Sequence, residues 1–403
     1  MLTNIILRAP VYSQSGYGAH SKDIAMCLWN SQQFNVSILP TGWGGSSVTT
    51  NTLTLKEKEA LEFMCNNRLH EGVEFIFIHV GIPTEFQKVS KFNVGITAGL
   101  ESDSINQDWV NGCNQMDLVI VPSNVIRDIF IKCGVKCKVE VVEEGVDTQI
   151  FNEKPVEITN NIFDEVDTPH NLLSIGQWLQ GGVGEDRKGI GLLINTFLKA
   201  FKDDKKVGLI LKTHITNNSS VDYYYVKERL KELKGNLEFP KIYLLHGELS
   251  TTQLVNLYKH PKVNGFVSLT SGEGWFRPLA ESIACDLPTI VTGWGGHMHY
   301  VNSDYVKTVN YSLKTVPRSA LMQPCFSPGM AWAYPDVEDA KRKMRFVIEN
   351  SLSTKKKAVE YGEIFRKIYN KEIVYSKLVS ILDKVSYDVL KGNSIRKIEI
   401  EKV

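Results

Sequence analysis

Two glutamates, Glu273 and Glu281, stand eight residues apart in the stretch GEGWFRPLAESIACDLP at 272–288. Pro278 suits the first turn of a helix, where a missing N–H costs nothing. Leu279, Ile283 and Leu287 then recur every four residues and mark a buried face. Glu281 is expected about one turn inside that helix, with Glu273 ahead of its start. Between them lie the unpaired N–H groups of a helix N-terminus, which attract anions. Eight helical residues span at most ~12 Å. Two acceptor-only carboxylates around an anion seat suit a ligand with a polar group at each end and phosphate in the middle.

Other residue types with chemistry follow predicted strands. Arg187 and Lys188 precede an apolar helical pattern, and Lys212 ends the run VGLILK. Fixed cations there would stabilise charge on a departing phosphate, although most Lys and Arg are simply solvated. Gly16 and Gly18 in SQSGYGAHS allow close backbone approach after the first strand. The pentapeptide TGWGG occurs at 41–45, where it contains Trp43, and again at 292–296. Glu101 and Asp103 follow the run NVGIT. Glu101 could orient a hydroxyl or stabilise growing positive charge, or it could cap the following helix together with Asp103. His297 and His299 lack a visible third metal ligand and read as loop or polar contacts, with His297 a candidate for a donor or acceptor pocket.

These residues need a scaffold that gathers strand ends. Apolar runs at NIILR, NVSIL, EFIFIHV, NVGIT, LVIVP and KVEVV alternate with helical patterns such as AHSKDIAMCLWN and SNVIRDIFIKCG. The pattern fails over 152–170, which is polar with two prolines, and resumes with NLLSIG, VGLILKTH, KIYLLHG, NGFVSL and LPTIVTG. Strand–helix alternation of this kind predicts an α/β protein of two doubly wound parallel sheets. Such sheets bind ligands beyond the carboxyl ends of their strands, where these residues fall. The expected boundaries are 1–151, a linker at 152–170, a second domain at 171–375, and a C-terminal helix and tail at 376–403 that packs back on the first domain.

Composition limits the partners. The 403 residues are 43% hydrophobic and 23% charged, as in a globular protein with a substantial core. No run approaches the ~18 apolar residues of a membrane span, and the N-terminus lacks a signal-peptide pattern. Seven scattered cysteines fit a reducing cytoplasm, and Cys133 and Cys137 have no second pair at a zinc spacing. The sequons at 217–220 mean little without a secretory signal. Residues 1–150 carry 11 Lys and Arg against 16 Asp and Glu, a net −5; the rest carries 35 against 29, a net +6. The basic half suits an anionic ligand, while the acidic half gives no general attraction to DNA or anionic lipid.

The stretch from Glu273 to Glu281 resembles the E-x7-E signature of the group 1 glycosyltransferases, retaining enzymes of the GT-B fold. LLSIGQWLQGGVGEDRKGIGLLINTFLKAF and LVIVPSNVIRDIFIKCGVKCKVEVVEEGVDTQIF are similar to further stretches of that family, and ESDSINQDW to an acidic variant of it. The resemblance implies two Rossmann-like domains facing a central cleft, with donor in the second and acceptor in the first. It implies that Glu281 accepts from the donor ribose, that Glu273 meets the transferred sugar, and that the backbone of Phe276, Arg277, Pro278 and Leu279 approaches the diphosphate. Arg187, Lys188 and Lys212 would meet phosphate, His246 and Gly247 would lie beside the nucleobase, and Gly16 and Gly18 would line the donor site. Trp43, Asp103, Trp109 and His297 would line the acceptor or sugar pocket. Gln177 stands where the family commonly has arginine.

Resemblance and composition together imply a metal-independent cytoplasmic enzyme using a UDP- or GDP-linked sugar as substrate, with no separate cofactor. Its acceptor is expected to be a glycan or another hydroxyl. Two alternatives remain open at this point: a phage-type transferase acting on a hydroxymethylated pyrimidine in DNA, and an inactive nucleotide-sugar-binding protein.

Overall fold

A computed structural model describes residues 2–154, 163–216 and 218–390, without the side chains of 386–390. Part of the 152–170 stretch, Asn217 of the sequons and the tail from 391 lie outside the described residues.

The first half alternates β1 (Thr3–Ala9), α1 (Gly16–Ser31), β2 (Phe34–Pro40), α2 (Leu55–Asn66), β3 (Ile76–Val80), β4 (Phe92–Ile96), α3 (Gln107–Asn114), β5 (Leu118–Val121), α4 (Asn124–Lys132) and β6 (Lys138–Val141). The central strands β3, β4 and β5 are buried throughout, as expected where helices cover both faces of a parallel sheet. Side chains of Ser15, Thr54, Asn106 and Ser123 each accept a first-turn N–H, so α1 to α4 start at capping residues.

The second half forms β7 (His170–Ile175), α5 (Ile190–Ala200), β8 (Val207–Lys212), α6 (Ser220–Lys234), β9 (Lys241–Leu245), α7 (Thr251–Lys259), β10 (Val263–Ser268), α8 (Arg277–Ala284), β11 (Thr289–Thr292) and β12 (Lys307–Val309). The two sheets run in the orders β2-β1-β3-β4-β5-β6 and β12-β11-β10-β7-β8-β9, with all pairs parallel. The winding direction reverses between β1 and β3 and again between β7 and β10. At each reversal the following loops diverge and leave a crevice.

Two features cross between the halves. The antiparallel hairpin β13 (Tyr311–Thr315) and β14 (Ala331–Pro335) follows β12. Its Val316, Phe326, Met330 and Trp332 are buried in the first domain's core with Trp109 and Phe130. After α9 (Val337–Glu349) and α10 (Ser351–Ile368), α11 (Lys371–Leu390) lays Val374, Tyr375, Leu378 and Leu382 into the other core layer of the first domain. Within the polar 152–170 stretch, Phe163 stacks on His260 with ring centroids 3.5 Å apart, and Val166 joins the second domain's core. All seven cysteines are free, and no described helix is long and apolar enough to cross a membrane.

Candidate active site

The β7/β10 reversal places the loop carrying Arg187 and Lys188 beside the loop carrying Glu273. Gly189 permits this contact: at φ 64° it faces the Leu269 carbonyl, where a Cβ would come within 2.2 Å. Lys188 Nζ donates to both Glu273 carboxylate oxygens at 2.7 and 2.6 Å, and Thr270 Oγ1 donates to Oε1 at 3.0 Å. Glu273 is 4% exposed. Burial alone would raise its pKa, but Lys188 and Arg187 outweigh that and hold it below the usual carboxylate value.

Arg187 links this group to the first domain. Its Nη1 lies 3.0 Å from Glu101 Oε1, donates to the Gly272 carbonyl at 3.0 Å, and sits 3.6 Å from Glu273 Oε2. The domains meet closely here, since a Cβ on Gly274 would lie 2.1 Å from the Ala98 carbonyl. Glu101, Arg187, Glu273 and Lys188 therefore form one chain of alternating charge across the cleft. Glu101 does not cap α3; Asn106 does, by accepting from Trp109 N–H at 3.0 Å.

Phe276 precedes α8 in a left-handed conformation (φ 72°, ψ 71°), unusual for a bulky residue, and no side chain caps the helix. Pro278 lies in the first turn, as the sequence predicts. Glu281 follows one turn later and accepts from Tyr258 Oη at 3.0 Å. It borders a cavity of 30 Å³ with Asp23, Gly145, Asp147, Trp275 and Arg277. Burial lifts its pKa to about 7, against the pull of Arg277 and Tyr258. The Arg277 guanidinium itself is committed to the first domain, 3.0 Å from Asp23 and 3.2 Å from Glu144. Leu279 is fully buried.

Lys212 and His246 lie along the same strand edge, at the ends of β8 and β9, since Lys212 pairs with Leu245. His246 Nε2 is 2.9 Å from Asp222 Oδ2, which also accepts from Ile215 N–H, while Asp222 Oδ1 accepts from Thr216 N–H. Gly247 has φ 105° and open space at its Cβ position. Gln177, at the end of β7, donates to the Ile215 carbonyl at 2.7 Å. Gly16 also faces open space, whereas Gly18 packs on its own loop, where a Cβ would lie 1.9 Å from the Ser13 carbonyl.

The expected acceptor residues separate. Trp43 is part-exposed and stacks on Tyr17 at 3.7 Å between centroids; the Tyr17 hydroxyl accepts from Ala98 N–H, close to Glu101 in the chain. Three others do not fit an open pocket. Trp109 is 1% exposed and donates its indole N–H to the Pro324 carbonyl, because α3 turns this face to the core. His297 is fully buried, with Nε2 2.8 Å from the Thr292 carbonyl and its pKa lowered by burial. Asp103 is bonded to Ala331 of β14. The sequence reading missed Thr270, Tyr258, Asp23 and Glu144; only Thr270, three residues before Glu273, carried a local signal.

A larger cavity of 710 Å³ opens elsewhere, at the starts of β10 and β11, lined by Lys259, His260, Cys285 and Leu352. It lies at the strand edge opposite the charged chain and includes none of the predicted site residues. Strand-end geometry makes the narrow interdomain cleft the candidate site instead.

No family model and no curated protein matches the sequence. Solved structures do match over nearly the whole chain. HepE from Anabaena, solved with UDP and glucose, is 14% identical, with 95% of this chain and 100% of that chain covered and a TM-score of 0.64. A sucrose-phosphate synthase from Thermosynechococcus elongatus is 12% identical, with 96% and 99% covered and a TM-score of 0.65. A glycosyltransferase from Rickettsia africae is 15% identical, with 98% and 100% covered and a TM-score of 0.64. At such identities the likeness establishes the fold, which is that of the GT-B glycosyltransferases.

Proposed function

We propose that this chain is a glycosyltransferase that moves a sugar from a UDP- or GDP-linked donor to an acceptor hydroxyl, with retention at the anomeric carbon. The observation that carries the reading is the charged chain Glu101–Arg187–Glu273–Lys188 at the crevice between the domains. Arg187 and Lys188 supply cations for the diphosphate, and the uncapped start of α8 supplies N–H groups. Glu281 accepts from the ribose hydroxyls and Glu273 from the transferred sugar. The anomeric carbon–phosphate oxygen bond breaks as the bond to the acceptor oxygen forms on the same face. The departing phosphate oxygen takes the acceptor proton. The protein mainly orients the partners and stabilises charge, and it needs no metal. The solved relative that binds UDP and glucose supports a nucleotide-sugar donor, and glycan assembly is the role we assign.

The test combines a panel of nucleotide sugars with detection of released nucleoside diphosphate, followed by NMR of the product anomer. Release with the donor's configuration kept in the product supports the proposal. Inverted product overturns the retaining mechanism. Donor binding by thermal shift without any release, with glycan acceptors or hydroxymethylated DNA, makes the chain a binding protein.

A further inference from the structure

The loops that carry Glu101 and Glu273 come from different domains, yet both are bonded to the free edge of β14. Alternate residues of an antiparallel pair turn their N–H groups toward the partner strand and away from it. Ala331 and Ala333 turn theirs away from β13. The Ala331 N–H donates to Asp103 Oδ1 at 2.7 Å, and the Ala331 carbonyl accepts from Asp103 N–H at 2.8 Å. The Ala333 N–H donates to the Ser271 carbonyl at 3.0 Å, and Ser271 N–H donates to the Arg187 carbonyl at 2.7 Å. Asp103 stands two residues after Glu101, and Ser271 two before Glu273. Ala331 and Ala333 are about 7 Å apart along a strand. The strand cannot drift, because Trp332 between them is fully buried in the first domain's core.

From this geometry we infer that Asp103 is a positioning residue: it clips the Glu101 loop to β14 and so sets Glu101 in register with Arg187 and Glu273. This rests on the transferase reading above. The carboxylate acts through one oxygen that accepts a backbone N–H, which an amide oxygen can do equally well. Asp103 needs no contact with substrate for this role.

Asp103→Ala and Asp103→Asn are compared with the unaltered chain. Asp103→Ala is expected to lower kcat at least tenfold while the donor KM stays within twofold, and Asp103→Asn is expected to restore kcat to within twofold. Normal kcat in the alanine variant overturns the inference. Equal loss in both variants also overturns it, because then the charge itself matters. Amide hydrogen exchange provides a readout that does not need turnover. Asp103→Ala should speed exchange in segments 99–105 and 330–334 and Asp103→Asn should not. If the unaltered chain transfers no sugar, the transferase reading fails, and exchange alone decides the clip; unchanged protection in the alanine variant overturns it.

Discussion

Arg187 Nη1 lies 3.0 Å from Glu101 Oε1, and this contact joins the second domain to the first at the candidate site. The same nitrogen bonds the carbonyl before Glu273, so one guanidinium senses both carboxylate loops. The charged chain therefore exists only where the two domains meet. Together with Lys188, the same cation holds the buried Glu273 carboxyl below its usual value against the pull of burial.

Glu101→Gln keeps shape and removes charge. With Asn106 capping α3, loss of the carboxylate does not uncap a helix. The variant is expected to lower kcat by ~10²-fold or more, the scale of positioned acid–base groups. Donor affinity, measured by titration, should change less than kcat, because Lys188, Glu273 and Glu281 keep their own partners in the second domain even when Arg187 loses Glu101. Normal turnover would remove Glu101 from the mechanism.

Much of this arrangement was legible in local pattern. Runs such as IFI in β3 and LVIV in β5 announce strands buried on both faces, and charged or glycine-rich stretches after such strands announce the ligand edge. Glu273 and Glu281 were readable because one short helix sets their spacing. Arg187 and Glu101 are 86 residues apart, and nothing in either neighbourhood names the other. The β13–β14 hairpin was missed for a related reason. Tyr311–Thr315 is exposed along its whole length and so lacks alternation, and Trp332 finds its core in the other domain. The family resemblance put Trp109 in the pocket, but its burial depends on which face α3 presents.

Excess chelator should leave sugar transfer unchanged. Arg187, Lys188 and the start of α8 provide positive potential where a metal would otherwise be needed. The check is the initial rate with EDTA, then with magnesium or manganese added back. Abolition by EDTA and recovery with either metal would overturn this assignment of the phosphate-binding groups.

Arg277→Met should destabilise the fold more than a surface change. It leaves buried Glu144 and part-buried Asp23 without their shared cation; stranding fully buried charge costs about 3–5 kcal/mol, which is the upper bound here. A lower melting temperature is expected, with most of the loss recovered when Asp23→Asn and Glu144→Gln are added. A triple variant no more stable than the single one would show that stranded charge is not the cause.

Glu281 gives a pH signature of opposite sign in stability and in binding. Burial lifts its carboxyl from 4.5 to about 7. Between those values the native state holds a proton that the unfolded chain has released. Its contribution to stability is therefore full below about 4.5 and is lost as pH rises to 7. At ~1.4 kcal/mol per pH unit, the loss is at most about 3.5 kcal/mol. Glu281→Gln carries no charge at any pH, so its melting temperature should gain on the unaltered chain between pH 5 and pH 8. Nucleotide affinity should move the other way. An ionised carboxylate accepts from two ribose hydroxyls, so UDP binding by the unaltered chain should strengthen as pH passes 7, and binding by the variant should stay weak and flat. Melting curves at several pH values and calorimetric titrations with UDP measure both. A constant difference in melting temperature from pH 5 to 8 would mean that Glu281 is ionised throughout, and the assigned burial effect would be wrong.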